Sequence, residues 1–575
     1  MKKIELKTEF KMKLILVGVN SRFTHSNLAI RYLKAFTEDL NYECLVREFS
    51  INDRVERIVQ EIIAEKADIV AFSCYIWNKD YVNQISDLIK LIDKNIKLLY
   101  GGPEVSFDSE NYLKDSFADY LIEGEGEETY REFIQYILEN RNLKQVQGLY
   151  YKENGEIFYG GKRKLMDLNK LIFPYTLEED LNNKIVYFES SRGCPFNCKY
   201  CLSSTIRGVR FMDLERAKMD LKFLIDKNVK LIKFVDRTFN CSDDFAMGIW
   251  GYLMSLDTKT TFHFEISADI LSDKQLKLLE KAPKGRFQFE VGVQTTNDEV
   301  LKNINRFVVF EDIKKQVMQL NKYGNIKQHL DLIAGLPGEN FESFKKSFND
   351  LYTIEPDEIQ LGFLKILKGA PMKDEVEKWG IVHSNYTPYE VLKTKDISYD
   401  EIILLKRVEE MVDKYYNSQK FKTILKYFIP KFNAAFDFYL ALGTFFYDSG
   451  YLSRNISSVD YYKIFIEFNE EILKGENFVL KEIVKYDYLK YNKKKWLPDF
   501  LVRDVNKEIE RTIKDKLLQN NIIENANNVH VEKFMINILD FIGNNNICEE
   551  SHYLVYDIND NENIKDITYI LGYNM

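Results

Sequence analysis

Hydrophobic and polar positions fall into two successive alternating series. In the first, the runs KLILVGV (13–19), ECLVREF (43–49), DIVAFSCY (68–75), KLLYGG (97–102) and DYLIEGEGE (119–127) have the length and composition of strands. Between them Ser26–Leu40, Asp53–Glu65 and Asp80–Ile92 carry apolar residues at helical spacing, with Ser26 as the N-cap of the first. Such alternation predicts an α/β domain, a doubly wound parallel sheet, over residues 1–144. Sheets of this kind bind ligands beyond the carboxyl ends of their strands. The least ordinary residues lie at those ends. Asn20 and Ser21 follow the first run, and Tyr75, Trp77 and Asn78 the third. Gly101, Gly102, Pro103 and Glu104 follow the fourth, and Glu123, Gly124, Glu125, Gly126 and Glu127 the fifth.

Residues 145–183, with Gly160-Gly161 and Pro174 and no steady period, read as a connector. The second series then begins: VYFESS (186–191), LIKFVD (231–236), FHFEIS (262–267), RFQFEVGVQ (286–294), QHLDLIAG (328–335) and EIQLGFLKIL (358–367). Helical stretches such as Leu214–Asp226 and Phe341–Leu351 separate them. Six βα units predict a partial (β/α)6 barrel over 184–389, with its chemistry at the strand carboxyl ends. Residues 390–575 read as mainly helical, for example at Asp400–Asn417 and Val459–Leu473. Charged runs there, such as Lys485–Lys495, read as solvated helix faces.

Charge and cysteine usage narrow the function classes. A formal net charge of −9 gives no whole-protein basic footprint, so nucleic acid is an unfavoured partner. No run of 18 apolar residues is present, and the charged MKKIELKTEFKMK start lacks an apolar core, so neither a membrane span nor a secretory signal is expected. Seven cysteines without a secretion signal argue against a disulfide framework and for metal or redox chemistry in the cytoplasm.

Three of those cysteines, Cys194, Cys198 and Cys201, lie within eight residues directly after a strand run. A structural zinc site wants four protein ligands, and an electron-transfer [4Fe–4S] cluster normally has four cysteines. Three leave one iron open to a substrate or cofactor, although Cys241 could serve as a fourth ligand. The C-x₃-C-x₂-C segment, with Tyr200 before its last cysteine, resembles the radical S-adenosylmethionine (SAM) superfamily. That resemblance implies a [4Fe–4S] cluster whose open iron chelates SAM and whose electron releases a 5′-deoxyadenosyl radical. Glu290-Val291-Gly292-Val293-Gln294-Thr295 and Asp331 to Glu339, with Ile333 and Gly335, resemble its strand-four and strand-five patterns. The resemblance implies that Tyr200, Glu290, Gln294, Ile333 and Gly335 contact SAM. Where the superfamily often has Gly-Gly-Glu after strand two, this chain has Val235-Asp236-Arg237-Thr238, so Asp236 is the substitute for the amino-group contact. Asp269, Glu265 and His263 are positional candidates for acid–base work.

Joined to such a barrel, Gly101-Gly102-Pro103 and the Glu123–Glu127 run resemble the markers of the cobalamin-binding, or class B, radical SAM enzymes. Asn20, Ser21, Tyr75, Trp77, Asn78, Gly101, Gly102, Pro103, Glu104, Glu123, Gly124, Glu125 and Gly126 then become the cobalamin contacts. His25 lies where other corrinoid domains carry an axial histidine. Phe23 and Leu28 stand in place of the Asp that would orient it and the Gly that would make room, so His25 reads as structural or as a contact to the corrin periphery rather than an axial ligand. Transfer-RNA methylthiotransferases also join an α/β domain to a radical barrel. They need three N-terminal cysteines, and here there are two, Cys44 and Cys74. The resemblance implies an enzyme that methylates an unactivated carbon. Rearrangement, cyclisation or oxidation without methyl transfer is the alternative, and a non-enzymatic corrinoid carrier would leave the barrel motifs unexplained. The expected partners are a small-molecule or peptide substrate and an electron donor such as flavodoxin or ferredoxin.

Overall fold

The computed structural model describes residues 12–492, 496–560 and 562–571. Five parallel strands, β1 (Lys13–Asn20), β2 (Glu43–Ser50), β3 (Ile69–Ser73), β4 (Lys97–Gly101) and β5 (Tyr120–Ile122), form a sheet in the order β2-β1-β3-β4-β5. Successive side chains of β1 face opposite layers. Ile15, Val17 and Val19 pack with Ile58, Ile62, Ile85 and Ile89 on one side. Leu14 and Leu16 pack with Ile30, Tyr130 and Phe133 on the other. Burial on both faces is why these strands read as unbroken apolar runs. The first helix is shorter than its periodicity predicts, Leu28–Ala35, and its N-cap is Asn27, whose side chain accepts from the Ile30 amide, rather than Ser26.

The segment expected as a connector contributes two strands. β6 (Leu149–Glu153) and β7 (Glu156–Tyr159) add antiparallel to β5 and make a mixed seven-stranded sheet. Asn154 and Gly155 between them both have positive φ, 53° and 84°, as a tight hairpin turn requires.

The second series forms a six-stranded sheet in the order β15-β14-β13-β12-β11-β8, the architecture of a partial barrel. Its strands are β8 (Ile185–Phe188), β11 (Leu231–Phe234), β12 (Thr261–Ile266), β13 (Phe287–Gln294), β14 (Lys327–Ala334) and β15 (Glu358–Phe363). A short antiparallel hairpin, β9 (Ser191–Cys194) with β10 (Gly208–Phe211), follows β8 and encloses the cysteine loop. The open edge of β8 is covered by the loop after β1. His25 bridges to Ile185 in parallel register, the Ile185 amide donates to Thr24 O at 2.8 Å, and His25 Nδ1 lies 2.6 Å from the Tyr187 hydroxyl. An unpaired strand edge is thereby satisfied within the chain.

The chain divides into two compact units, residues up to 347 with 361–399, and 348–360 with 400–575. The second is mainly helical, with an aromatic core in which Phe428, Phe438, Phe465 and Phe468 pack together. It also holds a three-stranded antiparallel sheet, Val529–Phe534, His552–Asp557 and Ile564–Asp566, that the periodicity reading missed. Lys485 does not belong to a solvated face. It is 1% exposed, paired with Glu482 at 3.0 Å and Asp504 at 3.1 Å, because a buried ammonium needs such partners. Lys493, Lys494 and Lys495 of the same run lie outside the described residues. Among the described residues no helix is long and apolar enough to cross a membrane.

Candidate functional site

Cys194 ends β9, and Cys198 and Cys201 follow in the loop beyond it. The loop is pinned from a distance: the Lys199 amide donates to Ile304 O at 2.9 Å, and Asn305 Nδ2 to Asn197 O at 2.9 Å. The three thiols line one cavity of about 170 Å³, together with Tyr200, Glu290 and Gln294, three of the residues expected around SAM. Arg237, Thr238, Glu265, Arg306 and Asp331 complete much of its wall. Cys241, the possible fourth ligand, is not among the lining residues. Among the described residues no three His, Cys, Asp or Glu side chains converge on one ion. All three cysteines line this cavity, and a [4Fe–4S] cluster takes its cysteine ligands one per iron.

Two opposing effects act on the Cys198 thiol. Burial raises the Cys198 thiol, and Arg306 opposes it, its Nη1 lying 3.7 Å from the sulfur. Metal binding needs the deprotonated form, which a neighbouring guanidinium favours. Burial also works against ionisation of Glu290, yet His263 Nε2 at 3.0 Å and Lys233 Nζ at 3.1 Å hold its carboxyl down at about 2. Asp331 is pushed well above the carboxylate range by burial and by the charges of Glu290 and Glu265. Of the three carboxyls on the cavity wall, Glu290 is thus held down by its partners, while burial pushes Glu265 and Asp331 up. Asp331 Oδ1, Gln294 Oε1 and Arg306 Nε are buried without a hydrogen-bond partner. Orphaned buried polar atoms are costly, and a polar ligand in the cavity would satisfy them.

Several expected contacts are placed elsewhere. Asp236 does not line the cavity. Its carboxylate accepts from the Ser190 amide at 3.0 Å and from the Ser190 and Ser191 hydroxyls at 2.7 and 2.6 Å, so it braces the entry to the cysteine loop. Ile333 and Gly335 are not lining residues either. Gly335, with φ 81°, lies against Val391, where a Cβ would meet Cγ1 at 2.7 Å. Of the acid–base candidates, Glu265 lines the cavity, His263 supports Glu290, and Asp269 accepts from Ser267 Oγ outside it.

In the α/β domain, the order β2-β1-β3-β4-β5 places its topological switch point between β1 and β3. Tyr75 and Trp77 stack there with ring centroids 4.3 Å apart, and Trp77 is 43% exposed. Gly102 has φ 109° with its α-carbon against the Cys74 backbone, and at Gly124, φ 76°, a Cβ would meet nothing within 4 Å. Together with half-buried Ser21 and exposed Pro103, these leave room for a flat ligand over the strand ends. The polar residues expected beside them are already engaged. Asn20 donates to His25 O at 3.0 Å, and Asn78 to Val19 O and Ser73 O at 3.0 and 2.8 Å. Glu104 is buried among Tyr389, Lys368 and Lys79. Glu123 accepts from the Tyr159 hydroxyl, Gly126 caps the helix Glu127–Leu138, and Glu125 is paired with Arg210. Sequence spacing gave no signal for Arg306, which acts on Cys198 from 108 residues away.

Comparison with known proteins agrees with this layout. Residues 14–134 match the B12 binding domain family, 188–351 the Radical SAM superfamily, and 377–556 a family described as a protein of unknown function, DUF4080. An uncharacterized methyltransferase of Pyrococcus horikoshii is 24% identical over 327 residues, 55% of this chain and 70% of that one. The cobalamin-dependent radical SAM methyltransferase TokK of Streptomyces tokunonensis is 24% identical over 348 residues, 55% of this chain but only 49% of its own length. In fold, the cobalamin-dependent SAM radical enzyme OxsB, solved with aqua-cobalamin and SAM bound, superposes with a TM-score of 0.57 at 17% identity, covering 90% of this chain and 77% of that one. The chain thus joins a B12-binding domain to a radical SAM domain, the domain order of the cobalamin-binding, class B radical SAM enzymes that it resembles, and continues into the DUF4080 region.

Proposed function

We propose that this enzyme is a cobalamin-dependent radical SAM methyltransferase acting on an unactivated carbon of a small-molecule or peptide substrate, with flavodoxin or ferredoxin as electron donor. When bound, the cluster and cobalamin supply the electron that cleaves SAM to a 5′-deoxyadenosyl radical and the methyl group to be transferred. Cys194, Cys198 and Cys201 are the cluster ligands, with Arg306 favouring the Cys198 thiolate. Tyr200, Glu290 and Gln294, joined by Asp331, line the space for SAM. Asp331 Oδ1, Gln294 Oε1 and Arg306 Nε, buried without partners of their own, are the polar atoms a ligand there would meet. Tyr75, Trp77, Gly101, Gly102 and Gly124 make the platform for the corrin.

The observation that carries the reading is the meeting of these two sets of residues. Arg192, two residues before Cys194 in the cysteine hairpin, is paired with Glu127 at 2.5 Å, and Arg210 of the same hairpin with Glu125, both glutamates following β5. Strand ends of the two domains therefore meet at the base of the cysteine loop, which supports a substrate carbon held between two reagents. Such orientation supplies roughly 7–11 kcal/mol of a barrier. The methyl-transfer assignment itself rests on analogy with relatives of similar domain order. The test uses methyl-labelled SAM with the reconstituted enzyme and the metabolites that accumulate in a deletion strain. Label should enter product, with one 5′-deoxyadenosine and one S-adenosylhomocysteine per turnover. Unlabelled product accompanied by 5′-deoxyadenosine alone would replace methyl transfer with rearrangement, cyclisation or oxidation.

A further inference from the structure

The hairpin β9–β10 closes the base of the cysteine loop, and its register sets Arg192 directly opposite Arg210. Like charges facing each other across an antiparallel pair destabilise it. Neither arginine can escape to solvent, since their side chains are 14% and 25% exposed. Their charge is met largely from the other domain. Glu127, in the first turn of the helix after β5 and 7% exposed, accepts from Arg192 Nη2 at 2.5 Å. Glu125 takes both nitrogens of Arg210, one at 3.2 Å, and lies 3.7 Å from Arg192 Nη1. Within the barrel, Glu189 adds an ion pair to Arg192 at 2.8 Å. Glu125 also accepts from the Met166 amide at 3.0 Å, which fixes its carboxylate. One turn of the α/β domain thus holds the incoming and outgoing strands of the cysteine loop at once.

We infer that Glu125 and Glu127 are positioning residues that keep the cysteine hairpin closed, so that retention of the cluster depends on the docked corrinoid-binding domain. This departs from the expectation that the Glu-Gly-Glu-Gly-Glu run contacts cobalamin. It rests on Cys194, Cys198 and Cys201 being the cluster ligands. The two roles make opposite demands: a corrinoid contact governs cobalamin retention, and a hairpin clamp governs cluster retention.

The experiment compares the full-length wild type with E127Q and with the double variant E125Q/E127Q. All are reconstituted anaerobically with iron and sulfide and loaded with cobalamin. Cobalamin per chain and the rate of iron release to a ferrous chelator are measured on each. Removing one partner of a buried pair is strongly destabilising, so the double variant should release iron at least about tenfold faster than wild type. Cobalamin per chain should be unchanged, and E127Q should fall between. Iron release at the wild-type rate, or cobalamin lost while the cluster is kept, would overturn the inference. If circular dichroism shows the double variant unfolded, the same comparison on E127Q decides. A wild-type chain that takes up neither cofactor counts against the proposed function, not against the clamp.

Discussion

Replacing Gly102 by alanine would place a Cβ 2.6 Å from the Cys74 carbonyl oxygen and 3.0 Å from its amide nitrogen, at a φ of 109°. Both neighbours are backbone, so no side chain can swing away. The Cys74 amide donates to Gly101 O at 2.7 Å, and the Glu104 amide to Cys74 O at 3.2 Å, so relief must part the ends of β3 and β4. A left-handed conformation in a non-glycine residue costs about 1–3 kcal/mol. One lost backbone hydrogen bond adds about 1 kcal/mol. If the strained turn is the one that meets the corrin, the total of about 2–4 kcal/mol weakens cobalamin binding roughly 30-fold to several hundredfold. Gly155→Ala is the control, because its φ is 84° but its Cβ would meet nothing within 4 Å. It should leave cobalamin affinity unchanged. Equilibrium dialysis against aquacobalamin reads both, with far-ultraviolet circular dichroism confirming the fold. A Gly102→Ala affinity within about threefold of wild type would show that the turn does not approach the corrin.

Changing Cys194, Cys198 or Cys201 to alanine should abolish cluster iron and 5′-deoxyadenosine release, whereas Cys241→Ala should leave both largely intact; iron loss in the last variant would make it a fourth ligand. His25→Ala should keep cobalamin bound, since its imidazole meets Tyr187; nitrogen superhyperfine structure in the cobalt(II) EPR spectrum that disappears in this variant would contradict that. Glu290, held at about 2 against an ordinary 4.5, contributes about 3 kcal/mol of stability that is complete above pH 4.5 and lost as pH falls through about 2. The denaturant-unfolding difference between wild type and Glu290→Gln should therefore shrink as pH is lowered from 4.5 to 2; a pH-independent difference would show that the carboxylate is not paired as described. Lys485→Met leaves Glu482 and Asp504 without their shared cation and should destabilise the C-terminal unit by about 3–5 kcal/mol in urea unfolding; a neutral effect would mean that methionine packing offsets the lost pairs.

What the chain determines by itself is whatever rests on local spacing. The apolar runs of β1, β3 and β4 announce strands buried on two faces, and the three-cysteine loop announces an incomplete ligand set. Both follow from the geometry of a few consecutive residues. Some signals were present and passed over: Asn154-Gly155 between alternating residues is a hairpin signature, and VHVEKF and HYLVYD alternate as strands do. The destination of the charged side chains was decided only by tertiary structure. Glu104, Glu125 and Asp236 look from their positions like cofactor contacts. They are instead engaged by Tyr389, Arg210 and two serines, at separations of 285, 85 and about 45 residues. Arg306 reaches Cys198 in the same way, and Lys485 turns inward to its carboxylates. Backbone periodicity fixes which face a side chain occupies. A charge placed on a buried face must find its counter-charge wherever packing brings one, and no spacing along the chain encodes that meeting.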